Sequence, residues 1–156
     1  MPSEIERKFL VKGKPWEQYT PVKIRHIKQG YLSKSARHTV RIRISSPSEA
    51  CITIKGPKVG FTCLEFEYYI PSADAVYLMD MCDGNLVEKI RHTFKDEHQQ
   101  RWEVDVFKGH NDGLIVAEIE LPSEDTVVTF PEWIREEVTY DKRYTNSYLS
   151  LHPIKT

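Results

Sequence analysis

Cysteine is scarce in this chain. Cys51, Cys63 and Cys82 are the only three, an odd number with no Cys-x-x-Cys pair, which argues against both a disulfide framework and a zinc ribbon. Long apolar runs are missing, and so is the basic, apolar, small-residue layout of a leader peptide. A reducing cytoplasm is therefore expected, with no membrane partner. Excess charge is missing as well. The 22 Lys and Arg against 23 Asp and Glu leave a net charge of −1, so neither DNA wrapping nor a polybasic lipid contact is expected. There is no GxxxxGK[ST] loop, and GPKVG at 56–60 reads as a hairpin turn. The six histidines fall into no metal-ligand spacing. No repeat, low-complexity tract or linker interrupts the chain, and a single domain over 1–156 is expected.

What the chain has is alternation. Residues 3–11, 38–44 (HTVRIRI), 51–55 (CITIK), 61–70 (FTCLEFEYYI), 86–94 (LVEKIRHTF), 101–107 (RWEVDVF) and 114–121 (LIVAEIEL) repeat with period two, and HIKQGYLS at 26–33 does so around Gly30. SSPSE, GPKVG, KDEHQQ and KGHNDG separate them, and gaps this short favour antiparallel hairpins. Helices are fewer. Ser72 caps one expected over 73–82, Ser123 caps a short one, Pro131–Glu137 forms a turn or two, and Asp141 starts DKRYTNSYLSL. The fold class is α+β, and about eight strands bring closure into a barrel within reach.

One parity of these strands is nearly all ionic. It carries Glu4, Glu6 and Lys8, then Arg41 and Arg43, Lys55, Glu65 and Glu67, Lys89 and Arg91, Glu103 and Asp105, and finally Glu118 and Glu120. The other parity is apolar. A solvated sheet face would mix signs with Thr, Ser and Gln, whereas here most strands carry a like-charged pair. Such pairs are unfavourable unless opposite charge faces them. Closing the sheet with the ionic face inward relieves that cost, because acidic and basic walls then confront each other across a channel. Clustered carboxylates suit Mg²⁺ or Mn²⁺, and clustered Arg and Lys suit phosphate. A metal-bound polyphosphate needs both.

EIERKFLV, QGYL, VRIR, TIKG, EFEYYI, EKIR, WEVDVF, AEIEL and EEVTYDKRYTN, in that order, resemble the CYTH domain, or triphosphate tunnel metalloenzyme, family over roughly 3–150. The wording is similar to the small bacterial branch that favours inorganic tripolyphosphate. The resemblance implies a closed antiparallel barrel of about eight strands, with triphosphate inside, one or two divalent ions and a helix plugging one end. It also implies a metal wall of Glu4, Glu6, Glu118 and Glu120. Phosphate would be held by Lys8, Arg41, Arg43, Lys55, Lys89 and Arg91. Glu65, Glu67, Glu103 and Asp105 would support these cations or serve a second metal. Lys142, in the plug, would reach the terminal phosphate or stand as an exposed lysine. Lys8 is read as a clamp or a proton-transfer partner, and Tyr31 as a group bonding the attacking water or Lys8, or as packing.

Three functions follow. The first is a metal-dependent tripolyphosphatase, and the second an adenylate cyclase or a thiamine or nucleoside triphosphatase in the same tunnel. The third is a non-catalytic polyphosphate binder, which has no need of four metal-type carboxylates on two strands. No nucleic-acid partner is expected. Apolar side chains on the outer face need cover from helices or from a second copy of the chain, which makes a homodimer an expectation.

Overall fold

A computed structural model describes residues 3–45 and 48–154. Residues 46 and 47, within the SSPSE turn, lie outside the described residues. Among the described residues the chain forms nine strands, the first eight where the sequence alternates: β1 (Ser3–Val11), β2 (Pro21–Lys34), β3 (Thr39–Ser45), β4 (Glu49–Val59), β5 (Thr62–Tyr69), β6 (Asp83–Lys95), β7 (Arg101–Lys108), β8 (Ile115–Glu120) and β9 (Ile134–Glu137). Two helices accompany them, α1 (Ser72–Asp80) and α2 (Asn146–Leu151). Eight strands run in the order β5-β4-β3-β2-β6-β7-β8-β1. Pairing of β1 with β5 closes them into an antiparallel barrel.

The closing seam is short. Only Ser3, Glu4 and Ile5 of β1 pair with β5, while Glu6 to Leu10 pair with β8 on the other edge. The edge left open beyond Ile5 is taken by β9, through Phe9 and Val11. This explains one departure from expectation. Residues 134–137 form a strand rather than a helical turn, because a vacant strand edge offers more backbone partners than an isolated turn. An Arg7–Glu137 ion pair of 2.6 Å fastens the strand there. The segment at Ser123 also forms no helix. It makes one bend, Thr126 N–H to Ser123 carbonyl at 3.3 Å, and then runs extended so that Val128 enters the core.

The apolar parity faces outward, as the alternation demands. Phe9, Trp102, Val104, Ala117 and Ile119 pack outside the wall under Val128 and Trp133. α1 covers Ile42 and Ala50 with Ala75. Ser72 does not cap α1; its hydroxyl donates to the Ser48 carbonyl at 2.7 Å, and Pro71 holds the cap position. At one end the inward parity itself turns apolar. Val87, Phe107 and Val116 seat Leu149 of α2, which is fully buried. The segment expected as one helix from Asp141 is a 3-10 turn at Lys142–Tyr144 followed by α2, with Thr145 as the cap of α2. Ile54, Leu64, Phe66 and Tyr68, on the outer face of β4 and β5, remain exposed.

Candidate active site

The barrel encloses a cavity of about 210 Å³. Glu4, Glu6 and Lys8 of β1 line it beside Glu118 of β8, which lies opposite Lys8 in the strand register. The facing wall presents Arg41 and Arg43 of β3 with Thr53 and Lys55 of β4. Arg91 and Glu103 enter from β6 and β7. Asn146 and Ser147, in the first turn of α2, reach in from the plugged end.

Opposite charges meet across this space. The Lys8 ammonium lies 3.6 Å from Glu118 and donates to the Tyr144 carbonyl at 3.2 Å. Lys55 lies 3.2 Å from Glu4 and 3.6 Å from Glu65. Burial, Lys8 and Arg91 set the Glu118 carboxyl: burial favours the neutral acid, but the two cations outweigh it and hold the group well below the carboxylate range. Glu6 differs. It has no ion pair among the described residues, and burial together with Glu118 pushes its carboxyl up to about 8. Burial likewise raises Glu4, against Lys55. Within the acidic wall Glu6 is thus short of positive charge, while the opposite wall has it to spare. Burial and the neighbouring Arg41 and Arg91 guanidiniums push Arg43 down. Arg41 donates to Thr53 at 3.0 Å, yet its buried Nε has no hydrogen-bond partner. A buried guanidinium N–H without an acceptor is a place for an anion.

Residues 2–148 match the family model for the CYTH domain. The chain belongs to the CYTH domain family. It is 40% identical to an inorganic triphosphatase of Acetivibrio thermocellus over 99% of this chain and 97% of that protein. It is 38% identical to an inorganic triphosphatase of Nitrosomonas europaea over 96% of this chain and 97% of that one. The crystal structure of the inorganic triphosphatase NE1496 superimposes with a TM-score of 0.71 at 35% identity, covering 97% of this chain and 96% of the other.

Against this CYTH frame, most residues singled out from sequence line the cavity: Glu4, Glu6, Lys8, Tyr31, Arg41, Arg43, Lys55, Glu65, Arg91, Glu103 and Glu118. Five others stand elsewhere. Lys89 is fully buried, 2.8 Å from Asp105 and 3.0 Å from the Asn146 side-chain oxygen to which it donates. Burial, with Arg91 and Arg43 nearby, pushes its ammonium down to about 7 against the opposing pull of Asp105. Lys89 therefore anchors the plug. Asp105 accepts two bonds from Arg91, at 2.8 and 3.0 Å, and so fixes that guanidinium from behind. Glu67 accepts from Thr53 at 3.4 Å. Glu120 is exposed; partial desolvation and the nearby Glu4 and Glu103 still raise its carboxyl. Lys142 is exposed and lines a separate shallow surface hollow with Tyr140 and Asp141.

Tyr31 is buried, and its hydroxyl accepts from Gln29 at 3.4 Å; Gln29 in turn accepts from Arg43 at 2.8 Å. The glycine beside it is required on the opposite face. A Cβ on Gly30 would stand 2.9 Å from both Cys82 and Leu86. Sequence reasoning missed Lys58, Thr53 and Asn146. Thr53 shares the inward parity of Lys55 and was readable. Asn146 needed the plug's position, and Lys58 needed a bulge.

The CYTH family is a metalloenzyme family. Among the described residues no group of three or more His, Cys, Asp or Glu closes around a point as a complete metal cage. A divalent ion here would therefore need substrate oxygens or water beside one or two protein carboxylates, as Mg²⁺ commonly has. Glu6, without a cation partner, and Glu65 Oε2, buried without a hydrogen bond, are oxygen donors of the required kind.

Proposed function

We propose that this chain hydrolyses inorganic tripolyphosphate to pyrophosphate and phosphate inside the barrel, with Mg²⁺ or Mn²⁺, one ion or two. The observation that carries the reading is one cavity in which a carboxylate wall, with Glu6 unpaired among the described residues, faces a guanidinium wall with an unsatisfied buried N–H. Its relatives at about the same length act on the same substrate class by name.

Arg41, Arg43, Lys55 and Arg91 hold the phosphate oxygens, the guanidiniums through paired N–H groups and Lys55 as a point charge. Glu4, Glu6 and Glu118 are the carboxylates of which one or two at a time would hold the metal beside phosphate oxygens, with Glu120 at the rim. When bound there, a divalent ion would supply Lewis-acid polarisation of the phosphoryl oxygens and offset charge on the leaving group. Lys8, fixed between Glu118 and the Tyr144 carbonyl, clamps a non-attacked phosphate. Glu65 and Tyr31 orient water for in-line attack on the terminal phosphorus. The new P–O bond forms as the bridging P–O bond breaks, and pyrophosphate leaves with the bridging oxygen. Glu103 and Asp105 hold Arg91 in place, Glu67 bears on Arg41 through Thr53, and Lys89 keeps the plug seated. Lys142 approaches the terminal phosphate only if the 3-10 turn shifts.

Phosphate release is measured from tripolyphosphate, ATP and thiamine triphosphate, with Mg²⁺, Mn²⁺ or EDTA. Release from tripolyphosphate that EDTA abolishes is expected. Binding without turnover, or cyclic AMP and pyrophosphate from ATP, would overturn the proposal. The same reading takes 1–156 as one cytoplasmic domain with its three thiols free. It pairs two copies through the exposed Ile54, Phe66 and Tyr68 face, which sedimentation at micromolar concentration tests.

A further inference from the structure

Strict alternation along β4 sends Thr53 and Lys55 inward and would send Lys58 out to solvent. The structure does otherwise. Lys55 pairs with Glu65 and Lys58 with Cys63, so three steps on β4 match two on β5. The extra residue, at Gly56–Pro57, is a β-bulge, which re-aims the side chains that follow it. Lys58 thereby joins Glu6 and Lys8 on the cavity lining.

The hairpin that carries Lys58 is pinned from outside. The chain reverses at Gly60, whose φ is 61°. Glu124 accepts from the Phe61 N–H at 2.8 Å and the Thr62 hydroxyl at 3.1 Å. The Phe61 ring stacks on Tyr140, centroids 5.5 Å apart, and the Arg7 guanidinium lies 5.4 Å from the Phe61 centroid. The Lys58 side chain, by contrast, is barely held. Its one hydrogen bond among the described residues is a long one, 3.5 Å to the Thr139 carbonyl. Among the described residues no carboxylate lies within ion-pair distance of it, whereas of the other lysines of the cavity Lys8 has one and Lys55 two. A fixed base carrying a loosely held ammonium at the short seam beside β1 is suited to meet an anion that enters there.

We propose that Lys58 is a further substrate-binding cation, moving from the Thr139 carbonyl onto the phosphate of tripolyphosphate nearest this seam. The inference rests on the tripolyphosphatase reading above. Because one long hydrogen bond is all that orients the ammonium, it can follow the phosphate and holds ground state and transition state alike. Such binding lowers KM and leaves the chemical step nearly alone.

The experiment compares wild type, Lys58→Met and Lys58→Arg. Steady-state kinetics on tripolyphosphate with Mg²⁺ is joined by calorimetric binding of tripolyphosphate in Ca²⁺ as a slow-turnover substitute. Lys58→Met should raise KM and the calorimetric Kd about tenfold while kcat falls less than about threefold. Lys58→Arg should restore both constants to within about threefold of wild type. An active wild type with an unchanged KM in Lys58→Met, or a kcat loss at constant KM, overturns the role of Lys58 alone. A wild type that neither binds nor hydrolyses tripolyphosphate overturns the function and this inference together. Thermal melting guards against misfolding, and Lys58→Gln takes the place of the Met variant if that one melts early.

Discussion

Asp96, at the turn between β6 and β7, offers a test that does not touch the cavity. Its Oδ1 accepts from the backbone N–H of His98 at 2.8 Å and of Gln100 at 3.0 Å. Its Oδ2 accepts from the Gln100 amide at 2.8 Å and the Trp102 indole at 2.7 Å. Burial favours the neutral acid, but the Trp102, Gln100 and His98 donors outweigh it and hold the carboxyl below its ordinary range. In Asp96→Asn the amide nitrogen replaces one acceptor oxygen, so either the His98 and Gln100 backbone donors on Oδ1 or the Gln100 and Trp102 side-chain donors on Oδ2 lose their acceptor. Trp102 is fully buried, and an indole N–H stranded there costs about 1–3 kcal/mol. With the weaker uncharged acceptor added, the loss should be about 2–4 kcal/mol, or about 4–16 °C in Tm for a chain of this size. The sign with pH follows from the depressed folded pKa. Wild-type advantage over Asp96→Asn is complete above the unfolded value of about 3.9, and it erodes below that as the carboxyl protonates. Urea unfolding of both proteins, followed from neutral pH down to about pH 3, reads the gap. A neutral-pH loss under about 1 kcal/mol, or a gap that does not shrink on acidification, would refute the reasoning.

Glu6→Gln should cut kcat on tripolyphosphate at least about 100-fold without lowering Tm, since burial and Glu118 already disfavour the Glu6 anion; melting curves beside kinetics check both halves. Arg41→Lys should reduce kcat/KM by about tenfold or more, because a point charge replaces a fork that holds Thr53 and an anion together; titration across substrate concentration shows it. Leu149→Ala should cost about 2–5 kcal/mol, since the residue is fully buried against Val87, Phe107 and Val116. Hydrogen exchange should place that loss at α2 and the facing end of β6.

The wall of the barrel was readable because strand alternation has a rigid period. Once Glu4, Glu6 and Lys8 share a face, so must Arg41 with Arg43 and Glu118 with Glu120. Period fails where backbone geometry breaks it. GPKVG, read as a turn, continues β4 through a bulge to Val59, and the chain reverses only at Gly60, so Lys58 went unseen. Parity also fixes a direction and not a depth. Lys89 and Arg91 share a face, yet the tilt of β6 carries Lys89 down to the apolar floor under α2, away from the cavity. β9 carried a helical reading because its four residues hold no pattern of their own. Its conformation comes from the edge of β1, which lies more than a hundred positions earlier in the chain.

That edge bears on how the molecule is made. β1 is synthesised well before the strands that flank it, since its partners arise at 62–64, 116–120 and 134–137. On the ribosome it waits as an unpaired ribbon with Ile5, Phe9 and Val11 on one side, a pattern prone to clumping. Glu4, Glu6 and Lys8 keep the other side hydrated throughout that wait. Stripping these charges to redesign the pocket would therefore be felt first as poor soluble yield and only afterwards as lost turnover.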